Sequence, residues 1–253
     1  MSLGVRTLLL ALLLAGCTPE STGAPPALAR APDPPVGSTV PADRWRAVLI
    51  AGDNNSPAFD NGIQAMRDKL SARGVRDIRM LTSDPVANPS LPVATAANVS
   101  SALRSGGGEA CLIFITSHGD ERGVALRAAK GTVSPATLES ALDAGCGNRP
   151  TVLLVSACYS GIFLTNAMRR PNRVVLTAAA ADRVSFGCGA GDRYTYYDQC
   201  LLQQFDGAAT WQQLAIATRS CVEALERRMA VSLPSQPQIF VGAAVADLKV
   251  PGR

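Results

Sequence analysis

The chain of 253 residues contains one histidine, His118, and no two cysteines at Cys-x-x-Cys spacing. A mixed cysteine–histidine metal site draws on several such ligands at short spacing, so none is expected. Aromatic residues are 5%, and no block of lysine or arginine stands out against a net charge of +4. A nucleic-acid surface combines clustered cations with stacking rings, so that class of partner is excluded as well. Charged residues make up only 17% while apolar ones reach 47%, a balance that builds a core and argues against disorder. No internal repeat recurs. The length suits one well-cored domain better than two.

The first residues depart from this scattered pattern. Arg6 precedes the apolar run 8–15, then Gly16 and Cys17. A short basic start, a brief apolar core and small residues describe a secretory signal peptide over residues 1–16. That run is too short to span a bilayer. Leu14-Ala15-Gly16-Cys17 also resembles the bacterial lipobox. The resemblance implies that Cys17 carries the lipid and anchors the mature chain on the periplasmic or outer-membrane side of the cell envelope. Residues 17–43 hold prolines at 19, 25, 26, 32, 34, 35 and 41. They read as an extended tether from the membrane to a folded domain over residues 44–253.

From Arg46 onward, short apolar runs alternate with amphipathic segments. Strands are predicted at 46–51, 76–81, 111–117, 151–157, 173–179 and 238–242. Helices are predicted at 60–72, 94–105, 134–144, 160–169, 195–204 and 210–230. This alternation specifies an α/β domain with a mostly parallel sheet. Gly106-Gly107-Gly108 precedes a strand and lacks a following lysine and helix, so it is a turn and not a phosphate loop.

Two strand ends carry chemistry. Cys111-Leu-Ile-Phe-Ile-Thr-Ser117 leads into His118-Gly119-Asp120, and Thr151-Val-Leu-Leu-Val-Ser-Ala157 leads into Cys158-Tyr159-Ser160-Gly161. One helix, opened by Ser134-Pro135, lies between them, which makes a right-handed crossover between neighbouring strands the expected connection. His118 and Cys158 then meet at the carboxyl edge, where open α/β sheets bind ligands. A thiolate is a nucleophile, and a helix N-terminus or an imidazole beside it favours ionisation. Gly119 leaves its N–H and that of Cys158 free to face a developing oxyanion. A buried structural cysteine is the other reading of Cys158, and the matching His-Gly on the next strand argues against it.

Seven cysteines are then to be sorted. With Cys17 lipidated and Cys158 reactive, five remain in an oxidising compartment, so at least one is free. Cys111, inside an apolar strand, is the natural buried thiol. A bridge among Cys188, Cys200 and Cys221 is open, as is the pairing of Cys146.

The segments Ile115-Thr-Ser-His118-Gly119 and Val155-Ser-Ala-Cys158-Tyr-Ser-Gly161 resemble the caspase-like clan of cysteine peptidases, and within it the legumain family of asparaginyl endopeptidases. Softer support comes from Trp45–Gly52 with Asn54, and from Leu176–Ala180 leading to Ser185-Phe-Gly-Cys188. The resemblance implies a caspase-like three-layer sandwich around a mostly parallel six-stranded sheet, acting on peptide or protein substrates. It makes Cys158 the nucleophile, His118 the proton-transfer residue and Asn54 a polar neighbour orienting the imidazole, with no metal or organic cofactor needed.

The departures concern specificity. Legumains place an acid two residues before the cysteine, where this chain has Ser156. Their Arg-His pair falls on Asp60-Asn61 by a gap-free count from Ala51-Gly52. Ser185 and Asp198 keep pocket positions. Asp60 in the pocket would favour a basic residue before the scissile bond (P1) over asparagine, whereas Asp60 as the N-cap of helix 60–72 would have no such effect. A transpeptidase or ligase using the same dyad, and a silent binding protein on the same fold, are the alternative functions.

Overall fold

The structure, a computed structural model, describes residue 1 and residues 39–253. The expected leader, the lipid site at Cys17 and nearly all of the tether lie outside the described residues. Among the described residues no helix is long and apolar enough to cross a membrane.

Among the described residues nine strands form, β1 (Trp45–Ala51), β2 (Asp77–Leu81), β3 (Ala110–Thr116), β4 (Gly119–Asp120), β5 (Gly123–Leu126), β6 (Gly131–Val133), β7 (Thr151–Ser156), β8 (Arg173–Thr177) and β9 (Gln238–Val241). The α-helices are α1 (Pro57–Ala72), α2 (Ala96–Arg104), α3 (Pro135–Gly145), α4 (Tyr196–Phe205) and α5 (Trp211–Arg228). Each helix starts behind a serine or threonine (Ser56, Thr95, Ser134, Thr195 or Thr210) whose hydroxyl accepts a backbone N–H of the first turn. Such a cap satisfies one of the donors that a helix start leaves unpaired.

The main sheet runs in the order β2-β1-β3-β7-β8-β9. Every neighbouring pair is parallel except β8 with β9. Because side chains alternate along a strand, each central strand feeds two apolar layers. Ala47, Leu49, Leu112, Phe114, Val152 and Leu154 face α1, α4 and α5, joining Phe59, Ile63, Leu201 and Trp211. Val48, Ile50, Ile113, Ile115, Leu153 and Val155 face α2 and α3, joining Leu103, Leu138 and Leu142. Helices on both faces of one sheet make the three layers expected from the sequence.

Two expectations are corrected, and one small sheet was not predicted. The segment 160–169 is not a helix; only a 3-10 turn, Ser160–Phe163, follows Cys158. A Cβ on Gly161 would lie 2.4 Å from the backbone nitrogen of Ala181, so close packing against the 180–181 backbone holds this chain in a tight turn. Residues 119–133, with strands too short to read as a pattern, form a small antiparallel sheet β4-β5-β6. Cys111 is not the free thiol. It points into the α3 layer and is bonded to Cys146 at the end of that helix. Cys200 is bonded to Cys221, joining α4 to α5, which leaves Cys158 and Cys188 free among the described cysteines.

Candidate active site

Strands β3 and β7 pair in register, with Thr116 opposite Ser156. Two residues beyond each lie His118 and Cys158, so the parallel ladder delivers both side chains to one point on the carboxyl edge. They line a single cavity together with Phe59, Ser117, Ser156, Ala157, Ser185, Phe186, Cys188 and Thr195. The expected meeting of residues 118 and 158 is thus met by the fold.

Cys158 stands at a sharp corner. The next residue, Tyr159, is left-handed at φ 57°, a conformation that costs a non-glycine residue about 1–2 kcal/mol. Its N–H donates to the Arg183 carbonyl at 2.7 Å, which fixes the bend. The Cys158 sulfur accepts from the Ser185 N–H at 3.2 Å and lies 3.6 Å from the Ser185 carbonyl. Burial pushes the Cys158 thiol up, with the Ser185 N–H acting the other way. The expected helix N-terminus is missing here, so no helix dipole assists ionisation. The resting sulfur is a thiol awaiting a base, and the imidazole on the same cavity can supply one.

His118 is half-buried, and its ring meets the edge of Phe59 with centroids 5.2 Å apart. Phe59 comes from the first turn of α1, so the Ser56 cap that starts that helix also fixes the wall holding the imidazole. On its other side His118 borders a cleft with Asp53, Gly119, Asp120 and Arg127. Asp53 is buried and 3.5 Å from the Arg127 guanidinium. It, and not Asn54, shares a cleft with the histidine. Asn54 is exposed and lines a separate cleft with Asp60 and Asn88.

The expected substrate-binding residues divide in the same way. Ser156 and Ser185 line the cavity, Ser185 contacting the sulfur through its backbone. Asp198 lies under the cavity floor, fully buried, and accepts from the Thr116 hydroxyl at 2.6 Å. Its N–H donates to Thr195 Oγ1, and that oxygen lies 3.2 Å from the Ser156 hydroxyl. Its second carboxylate oxygen, Oδ1, has no partner. Burial pushes the Asp198 carboxyl up to about 6, with the hydroxyls of Thr116, Ser156 and Thr195 acting the other way.

Asp60 belongs to neither expectation. Ser56 is the cap of α1, and the Asp60 carboxylate accepts from the hydroxyls of Thr82 and Ser83 and from the Ser83 N–H. It pins α1 to the chain leaving β2 and does not reach the cavity.

Phe59 and Thr195 were not predicted from the sequence as site residues, and Phe186 and Cys188 were expected only as part of a family-like, glycine-rich segment. Thr195 carried the one available signal, since a threonine opening an amphipathic helix reads as a cap. Among the described residues no cluster of three or more His, Cys, Asp or Glu is placed to hold a metal ion.

Residues 93–225 match the peptidase C13 family, a span that contains both His118 and Cys158. Among solved structures the chain is similar to caspase-1 from Spodoptera frugiperda, with a TM-score of 0.57 and 14% identity, over 85% of this chain and 94% of that one. At that identity the likeness is one of fold, a caspase-like fold. No curated protein matches the chain.

Proposed function

The chain belongs to the peptidase C13 family, the legumain family of caspase-like cysteine peptidases, and from that premise we propose an endopeptidase with Cys158 as nucleophile and His118 as proton-transfer residue. The observation that carries this reading is the convergence of both side chains, from adjacent strands in register, on one cavity. His118 takes the thiol proton as the Cys158 sulfur attacks the substrate carbonyl carbon. The N–H groups of Gly119 and Cys158 hold the resulting oxyanion. Collapse of that adduct breaks the C–N bond, and His118 returns the proton to the leaving amine. Water, deprotonated by His118, then hydrolyses the thioester and frees the sulfur.

In this reading Asp53, which lines the same cleft as His118, takes the part expected of Asn54 in orienting the imidazole. The P1 side chain enters over Ser156 and Thr195, towards the unpartnered oxygen of Asp198. A buried acceptor without a donor selects side chains that donate. Asparagine meets that requirement by hydrogen bonding, and lysine or arginine meets it by charge as well. Acidic and aliphatic P1 residues are disfavoured. The substrate is a peptide or protein, and lipid at Cys17 would hold the domain at the bacterial envelope.

A P1-scanning peptide library applied to wild type and Cys158→Ala tests the reading. Wild type is expected to cleave after donor side chains and the variant to lose at least about 1000-fold in rate. Undiminished cleavage by the variant would remove Cys158 from the mechanism.

A further inference from the structure

Of the six cysteines among the described residues, four are bonded to one another and two are free. The two free ones, Cys158 and Cys188, line the same cavity. Cys188 comes from the loop between β8 and α4, thirty residues from Cys158 in the chain. The loop already touches the other sulfur, through the Ser185 N–H. Burial pushes the Cys188 thiol up, and a negative charge on Cys158 acts in the same direction, so the two thiols are within electrostatic reach of each other.

The geometry around Cys188 suits a small displacement. Gly187, left-handed at φ 79°, precedes Cys188 and Gly189 follows it. Glycines thus flank the cysteine on both sides and give the backbone freedom that other residues would deny it. Beyond Cys188 the loop is held at its base, where the Ser56 hydroxyl donates to the Gly189 carbonyl at 2.9 Å. Movement is therefore confined to the few residues that carry the thiol.

We propose that Cys188 is a resolving thiol, which joins Cys158 in a reversible disulfide when a peroxide oxidises the active site. The proposal rests on the reading of Cys158 as the reactive sulfur. His118 takes the Cys158 proton, the sulfur attacks one peroxide oxygen, the O–O bond breaks, and the departing hydroxide takes up that proton and leaves as water, giving a sulfenic acid on Cys158. The Cys188 sulfur then attacks that sulfur, the S–S bond forms, the S–O bond breaks, and the hydroxyl departs as a second water with the Cys188 proton. Two thiols give up two electrons to one peroxide. The disulfide removes the nucleophile and closes the cavity, and a dithiol reverses it by exchange. Without Cys188 the sulfenic acid is exposed to a second peroxide and passes to the sulfinic acid, which a dithiol does not reduce.

The test treats full-length wild type, Cys188→Ser and Cys188→Ala with hydrogen peroxide, then with dithiothreitol, each referred to its own untreated rate. Wild type is expected to recover to within about twofold, and both variants to stay below about a tenth. Peptide mapping of oxidised wild type is expected to find a Cys158–Cys188 linkage, and the variants a Cys158 heavier by two oxygens. Equal irreversible loss in all three proteins, or oxidised wild type with no such linkage, overturns the proposal. Failure of the nucleophile reading is told apart by reduced wild type, which would then be inactive on peptides whatever the mapping finds.

Discussion

A Cβ atom placed on Gly119 would lie 2.5 Å from the carbonyl oxygen of Cys158 and 3.0 Å from the Cβ of Ala157. The residue after the histidine is therefore packed against the backbone of the residue that carries the thiol. In Gly119→Ala one of the two strand ends must retreat, which separates the N–H groups assigned to the oxyanion. Overpacking of this kind costs about 1–3 kcal/mol of stability. Because the displaced groups act on the transition state, kcat is expected to fall at least about tenfold with little change in KM. Steady-state kinetics and a thermal melt check both halves. An alanine variant with normal kcat would place the oxyanion elsewhere.

The main sheet was legible because its strands are buried on both faces and read as unbroken apolar runs, such as 111–117 and 151–157. The reaction centre followed from it, since register in a parallel pair fixes which residues emerge together. Legibility failed where tertiary contact overrides local pattern. The segment after Cys158 has helical composition, yet Gly161 is pressed against the backbone at Ala181. Cys111 looked like an ordinary core residue, because its partner Cys146 is set by how α3 packs on β3 and not by spacing. Asp60 was ambiguous for the same reason. Its hydroxyl partners, Thr82 and Ser83, lie beyond the next strand.

Asp60→Ala separates structure from specificity. It deletes a buried carboxylate that accepts from two hydroxyls, the Ser83 N–H and the Asn88 amide, leaving both Ser83 donors unpaired. The variant is expected to lose about 1–3 kcal/mol of unfolding free energy in a denaturant titration. Its P1 profile is expected to match wild type, since the carboxylate faces away from the cavity. A change in P1 preference at unchanged stability would return Asp60 to the pocket.

Burial pushes the Cys158 thiol above its ordinary value of 9.0, so the resting enzyme should hold little thiolate at neutral pH. Alkylation by iodoacetamide, followed at Cys158 by peptide mapping, is expected to rise with pH and reach half its limit above 9.0. Activity at neutral pH then depends on proton removal during attack. His118→Ala should lose about 100-fold to 10000-fold in kcat/KM, while its alkaline alkylation limit stays close to that of wild type. A midpoint well below the ordinary range would mean a resting thiolate, and an ion pair with His118 in place of the neutral dyad.

Asp198 gives the pH dependence a sign. Its carboxyl is raised from 3.8 to about 6 by burial, so the native state takes up this proton at a higher pH than the unfolded chain does. The folded protein therefore carries a penalty above pH 6, which is relieved as pH falls through 6 and is gone below 3.8. Asp198→Asn removes the charge and keeps the shape. It is expected to unfold at a higher temperature than wild type at pH 8, by an amount on the order of 2–3 kcal/mol in stability, with the difference shrinking towards pH 4. The same charge should attract a basic P1 side chain only when ionised, so in wild type the ratio of lysine to asparagine cleavage should fall as pH drops below 6. In the variant that ratio should be low and independent of pH. Melting curves from pH 4 to 8 and a two-substrate competition read these effects separately. A variant that melts no higher than wild type at pH 8 would mean that the unpartnered oxygen is hydrated and the carboxylate is not destabilising the fold.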